Sequence, residues 1–218
     1  MAIREQFQWE LDELKMMNVN LGMFAKKAMN QAVQAMMEQD LHLAVKVKNG
    51  DAELNKLEGA IQERAIALIA KQQPVASDLR RIIVALKIAN DLERIGDLAV
   101  NVCKSVEEIG KDSYIKPLVD LPKMAKIVDK MMDQVLDAFQ KESVSMAMEV
   151  AEKDDEVDHL YGTVTRDLFH AMSGQPEKIA QIAQLSFICR HLERAGDHVT
   201  NICEHIVYLV KGIQCDLD

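Results

Sequence analysis

The chain is predicted to be all-α: a tandem repeat of two three-helix bundles, with six long helices related by a pseudo-twofold. Three observations predict this. Glu93-Arg94-Ile95-Gly96-Asp97 returns as Glu193-Arg194-Ala195-Gly196-Asp197 one hundred positions later, and each copy is followed four residues on by an Asn, Asn101 or Asn201. Breakers are scarce, with 9 Gly and 4 Pro in 218 residues, which favours long helices. Hydrophobic residues make up 49% of the chain and aromatics only 4%, so the core is built from Leu, Ile, Val, Ala and Met.

The first helix is expected from about Ile3 to Glu38, with Phe7, Leu11, Leu14, Val19, Phe24 and Ala28 at helical spacing. Asp40 is a plausible N-cap for the second, which runs to about Lys71. Gln72-Gln73-Pro74 makes the turn. The third spans about Ser77 to Ile109 and stops at Gly110. Lys111 to Pro122 has linker character, with Gly, Ser, Tyr and two Pro in or beside it. The plan then repeats, with helices at about Pro122 to Lys141, Glu142 to Met172 and Pro176 to Lys211, and Ser173-Gly174-Gln175-Pro176 as the matching turn. The domains are therefore a first bundle at 1–110, a linker at 111–121 and a second bundle at 122–218.

Residues four apart share a helix face, so each Glu-x-x-x-Asp aims two carboxylates the same way. The middle helices carry a second acidic pattern. Asp51-Ala52-Glu53-Leu54-Asn55 aligns with Asp154-Asp155-Glu156-Val157-Asp158. Helices joined by a short turn pack antiparallel. Equal rise from the turn near Gln73 puts Asp51 and Asn55 level with Glu93 and Asp97. The same count from Gly174 puts Asp154 and Asp158 level with Glu193 and Asp197.

Three readings of these acids stay open: a structural ion-pair network, a metal site, or an acidic patch for a partner. The third helix is apolar on most sides, so Glu93 and Asp97 are expected to be partly buried and in need of a partner. Arg94 lies three residues from both Asp91 and Asp97, and Arg190 and Arg194 offer the same in the second copy. Oxygen donors without Cys suit Mg²⁺, Ca²⁺, Mn²⁺ or high-spin iron. His191, His198 and His205 lie seven apart on the last helix, as added nitrogen ligands or as a half-exposed face. The 13 Met are read mainly as core filling, with an adaptable binding face as the alternative.

Other classes lose support. A net charge of −9 with mixed signs argues against a nucleic-acid partner. No apolar run is long enough to span a membrane, and Met1 to Lys15 lacks the apolar stretch of a signal peptide. Four Cys without CxxC spacing read as reduced, buried thiols. There is no phosphate loop, nucleophile elbow or HExxH, so no enzyme is expected.

The doubled E-R-x-G-D-x-x-x-N, with Asp78-Leu79-Arg80 after Pro74 and the tandem three-helix plan, resembles the PhoU family over about Phe7 to Leu209. The resemblance implies a cytoplasmic regulator, often a homodimer, that reaches the membrane surface only through its partners. Those partners would be the ATPase of the phosphate ABC transporter and the phosphate-sensing histidine kinase. It would repress the phosphate-starvation response when phosphate is plentiful. Some relatives bind Fe, Zn, Mg or Mn through the acidic motif, which points here to Glu93, Asp97, Glu193 and Asp197, with Asp51, Asp154 and Asp158 behind them. Asn55 departs from the acidic pattern and makes the first site less charged. The second copy lacks an Asp-Leu-Arg after Pro176, so any role of Arg80 is not duplicated. The alternatives are a carboxylate-bridged metal-dependent enzyme and a metal-binding helical scaffold.

Overall fold

The computed structural model describes residues 3–172 and 174–217. Met1, Ala2, Ser173 of the second predicted turn, and Asp218 lie outside the described residues. The described residues hold α-helices and no strands. The first unit is α1 (Ile3–Glu38), α2 (Leu41–Gln72) and α3 (Ala76–Ile109). The second is α4 (Asp120–Lys141), α5 (Val144–Ala151), α6 (Asp154–Met172), a 3-10 turn at Pro176–Lys178, and α7 (Ile179–Lys211).

Local chemistry sets these boundaries, and it repeats. Gln39 takes a left-handed φ of 51°, and Asp40 then caps α2 by accepting from the backbone N–H of Leu43. In the second unit Glu142 takes φ 50°, and Ser143 caps α5 by accepting from Met146 N–H. The Asp40 and Ser143 N–H groups close back onto the Ala35 and Ala138 carbonyls, satisfying orphan acceptors at each helix end. Gly110, at φ 67°, ends α3 as expected. Pro122 falls in the first turn of α4, where its missing N–H costs nothing.

One expectation needs correction. The middle helix of the second unit is not continuous from Glu142 to Met172. It restarts after Ser143 and is interrupted at Glu152 and Lys153, giving α5 and α6. Glu152 remains right-handed (φ −56°, ψ −16°). The Lys153 N–H bonds to the Val150 carbonyl three residues back, so the helix tightens for one turn.

Buried side chains from all seven helices join one apolar core. Two antiparallel seams tie the units together, as a pseudo-twofold requires. Along the first, α1 meets α4: Lys15 pairs with Glu142 at 2.5 Å, and Lys26 with Asp133 at 2.5 Å and Asp129 at 3.3 Å. Gly22 lets α4 approach here, since a Cβ would strike the end of Leu136. Along the second, α3 meets α7, where Leu92, Ile95 and Ala99 of one helix and Leu192, Ala195 and Val199 of the other are fully buried. Arg80 stacks over the Tyr208 ring at 5.5 Å and donates to the Leu209 carbonyl at 3.5 Å. It thereby covers the C-terminal end of α7, where cations are favoured. Its repeat counterpart is Ala180, so this function is indeed single.

The thiols of Cys103, Cys189 and Cys203 are buried and free, and burial pushes each up to about 12. Met29, Met36, Met124, Met131 and Met132 fill the core, while Met16, Met23, Met37 and Met148 are exposed. No helix among the described residues is long and apolar enough to cross a membrane.

Candidate metal centre

The glycine inside each repeated motif sets the spacing of the site. A Cβ on Gly96 would lie 2.6 Å from Leu54 Cδ1 of α2, and one on Gly196 would collide with the Asp154 carboxylate of α6. Each glycine therefore lets the middle helix lie close against the last. This contact brings the acids of the two helices to one level, as the hairpin count requires.

In the second unit the acids converge. Asp158 on α6 and Glu193 and Asp197 on α7 each offer a carboxylate oxygen, and these atoms lie within 4.8 Å of one another. Asp158 is exposed, and Glu193 and Asp197 are half-buried. Glu193 holds its proton to higher pH than usual, first because it is buried, then because Asp197 and Asp158 repel its charge. Arg190 and Arg194 only partly oppose this. Three oxygens at one point, repelling as anions, are what a hard divalent cation relieves.

Asp154 does not join this cluster. It is buried, accepts from the Thr200 hydroxyl at 3.0 Å and stands against Gly196. Its place is one turn deeper, bracing α6 on α7.

In the first unit the acids are near but more nearly neutralised. Asp51 accepts from the Asn55 amide at 3.2 Å. Arg94 reaches Asp97 at 3.4 Å and Glu93 at 3.7 Å. Asp51 is raised by burial and by Asp97, while Asn55 and Lys104 pull it back. Glu93 is raised by burial and Asp97, Arg94 opposes, and Glu58 and Asp51 add to the repulsion. Where the second unit has Asp158, Asn55 supplies an amide already committed to Asp51. The first site thus combines the ion-pair reading with a weaker ligand set.

Two features were missed in the sequence. Glu58 lies one turn beyond Asn55 and adds to the negative charge that repels Glu93. Its counterpart in the second unit is Tyr161. The second feature is a clamp between the units. Asp91 is buried and meets His198 Nδ1 at 3.0 Å and His205 Nε2 at 3.1 Å. Burial pushes the Asp91 carboxyl upward, but hydrogen bonds to both imidazoles and their charge outweigh it and hold it below the usual range. Asp91 thus pairs with these imidazoles, and the histidine row divides. His198 and His205 serve the α3/α7 seam, and His191 is half-buried, its pKa lowered by burial and by Arg194, Arg190 and Lys104.

Known proteins share this architecture. The family model described as the PhoU domain matches the chain twice, at residues 19–106 and 121–206, once per unit. The phosphate-specific transport system accessory protein PhoU homolog of Clostridium acetobutylicum is 35% identical over 216 residues, covering 99% of both chains. The phosphate-specific transport system accessory protein PhoU of Escherichia coli is 36% identical over 210 residues, covering 96% of this chain and 87% of the relative. The crystal structure of the phosphate transport system regulatory protein PhoU from Streptococcus pneumoniae matches with a TM-score of 0.91 at 31% identity, over 96% of this chain and 99% of that one. That of PhoU from Pseudomonas aeruginosa also gives 0.91, at 35% identity over 95% and 100%. With the doubled motif in both units and full-length similarity in sequence and fold, the chain belongs to the PhoU family.

Proposed function

We propose that this chain is an accessory regulator of phosphate-specific transport, acting by presenting helical surfaces and not by catalysis. It connects the phosphate ABC transporter, through its ATPase, to the phosphate-sensing histidine kinase, and it represses the starvation response when phosphate is plentiful. The observation that carries this reading is end-to-end similarity to accessory and regulatory proteins of phosphate transport, with both copies of the motif in matching units. The absence of any recognisable nucleophile or phosphate loop in the sequence agrees with an adaptor. Its work is cytoplasmic, at the membrane surface, through those partners.

The acidic centre belongs to the same reading. Asp158, Glu193 and Asp197 would hold a divalent or ferric-type cation, Mg, Mn, Fe or Zn, and the ion would brace α6 on α7 and neutralise the face they share. Glu93, Asp97 and Asp51 would supply a weaker counterpart.

Deleting the gene in its host, with and without the kinase gene, tests the regulatory reading. A phosphate-starvation reporter should stay on in high phosphate in the single deletion and fall silent in the double. A reporter that remains repressed in the single deletion refutes it.

A further inference from the structure

We propose that the α3/α7 seam carries a groove for an extended acidic peptide, and that residues 213–217 form a strap seated in one end of it. The proposal is independent of the regulatory reading.

Gly212 takes a left-handed φ of 73° and turns the chain back on α7. A Cβ there would lie 2.6 Å from the Arg80 guanidinium of α3, so the turn sits tightly on the seam. The segment beyond is neither helix nor strand. Cys215 and Leu217 are half-buried, while Gln214 and Asp216 are exposed, the two-residue alternation of an extended chain lying on a surface. Leu217 packs on the edge of the core, and its backbone N–H donates to Glu204 Oε1 at 2.9 Å. The way back along α7 from Gly212 to Glu204 is about 12 Å, and residues 213–217 when extended span about 17 Å. The strap therefore reaches its anchor with length to spare.

The seat is larger than the strap. A cavity of about 240 Å³ remains between Gln214, Cys215 and the side chains of Lys87, Glu204, His205 and Tyr208. One turn further along α7, in the direction the strap runs, Asn201 lines an open cleft of about 630 Å³ that shares Lys87 and His205 with this cavity. The two form one groove, and its walls suit a polypeptide. Gln62, Asn90 and Asn201 offer carboxamides, which donate and accept as peptide groups require, and Ile66, 63% exposed, offers an apolar surface. Charge selects an acidic occupant. Lys87 lies over the Tyr208 ring at 5.9 Å and forms no ion pair among the described residues. The two acids of the groove are engaged, Asp91 by His198 and His205 and Glu204 by the Leu217 N–H. The strap is itself such a segment, since Asp216 and Asp218 flank Leu217 in the sequence. An incoming acidic peptide takes the Leu217 seat, runs on into the cleft and displaces the strap.

Cys215 reports on the strap, because the other three thiols are buried. Its reaction with a thiol-specific disulfide reagent should be slow in the native chain, and Leu217→Ser should speed it about tenfold or more by unseating the strap. A fluorescent peptide of residues 212–218, made with Cys215→Ser, should bind the Leu217→Ser chain about tenfold more tightly than the native chain, where the strap competes. Lys87→Glu in the Leu217→Ser background should weaken that binding about fivefold or more. Native Cys215 reacting as fast as a free thiol overturns the strap. No binding of the peptide to the Leu217→Ser chain at about 1 mM overturns the groove, and binding unchanged by Lys87→Glu overturns its preference for acids. Should Leu217→Ser lose helicity, the peptide added to the native chain decides. It should speed Cys215 labelling by displacing the strap, and an unchanged rate overturns the proposal.

Discussion

Glycine is the residue that makes the motif a site, because it sets how close two carboxylate-bearing helices approach. Replacing Gly96 by Ala drives a methyl into the end of Leu54, a side chain that can swing aside. Replacing Gly196 drives it into a buried carboxylate held by Thr200. Each change also gains about 1 kcal/mol of helix propensity. Overpacking costs about 1–3 kcal/mol, so Gly196→Ala should destabilise the protein and Gly96→Ala should be close to neutral. Chemical denaturation of the two variants checks the order, and equal effects would contradict it. Titration at the same site has a definite sign. Glu193 is raised in the folded chain, so the metal-free protein binds more protons folded than unfolded in the carboxylate range. That contribution is present at low pH and lost as pH rises through the folded pKa. Glu193→Gln removes the repulsion, and at neutral pH the metal-free variant should melt roughly 1–2 °C higher, a small shift because solvent screens the group. A lower melting temperature in the absence of metal would show the repulsion to be absent.

At the scale of elements, the paired helices α3 and α7 carry both the acidic motifs and the contact between units. Asp91 is the polar point of that contact, bonded to two imidazoles from the other unit. Asp91→Ala would leave both rings without their acceptor and should cost about 2–4 kcal/mol. Thermal unfolding of the variant measures it, and a loss below about 0.5 kcal/mol, the range of ordinary surface changes, would show that the clamp contributes little. This clamp was not legible in the sequence. Spacing within one helix gave a histidine row and an aspartate three residues from Arg94, but which helix faces which across units is a tertiary fact. The acidic level was legible, because short turns and equal rise fix it. The interruption at Glu152 and Lys153 was not, since neither residue is a Gly or Pro and both continue in near-helical bonding. Nor did the sequence reveal that α1 leaves Trp9 and Met23 exposed, because apolar residues recur all round this helix and only packing decides which face is covered.

For the whole molecule, the repeat builds two similar units and then loads them unequally. The second unit gathers Asp158, Glu193 and Asp197 to one point. The first places Asn55 on Asp51 and Arg94 between Glu93 and Asp97. The pseudo-twofold frame is thus shared, while the charge that would hold a cation lies mainly in one half. The account turns on that cation. The most direct measurement is metal content by elemental analysis after loading with Mn²⁺ or Fe²⁺, on the native chain, Asp97→Asn, Asp197→Asn and the double variant, with helicity followed in parallel. Metal should bind the native protein, fall more with Asp197→Asn than with Asp97→Asn, and vanish in the double variant while the helices stay folded. Metal retained in full by the double variant, or helicity lost with it, would contradict the account.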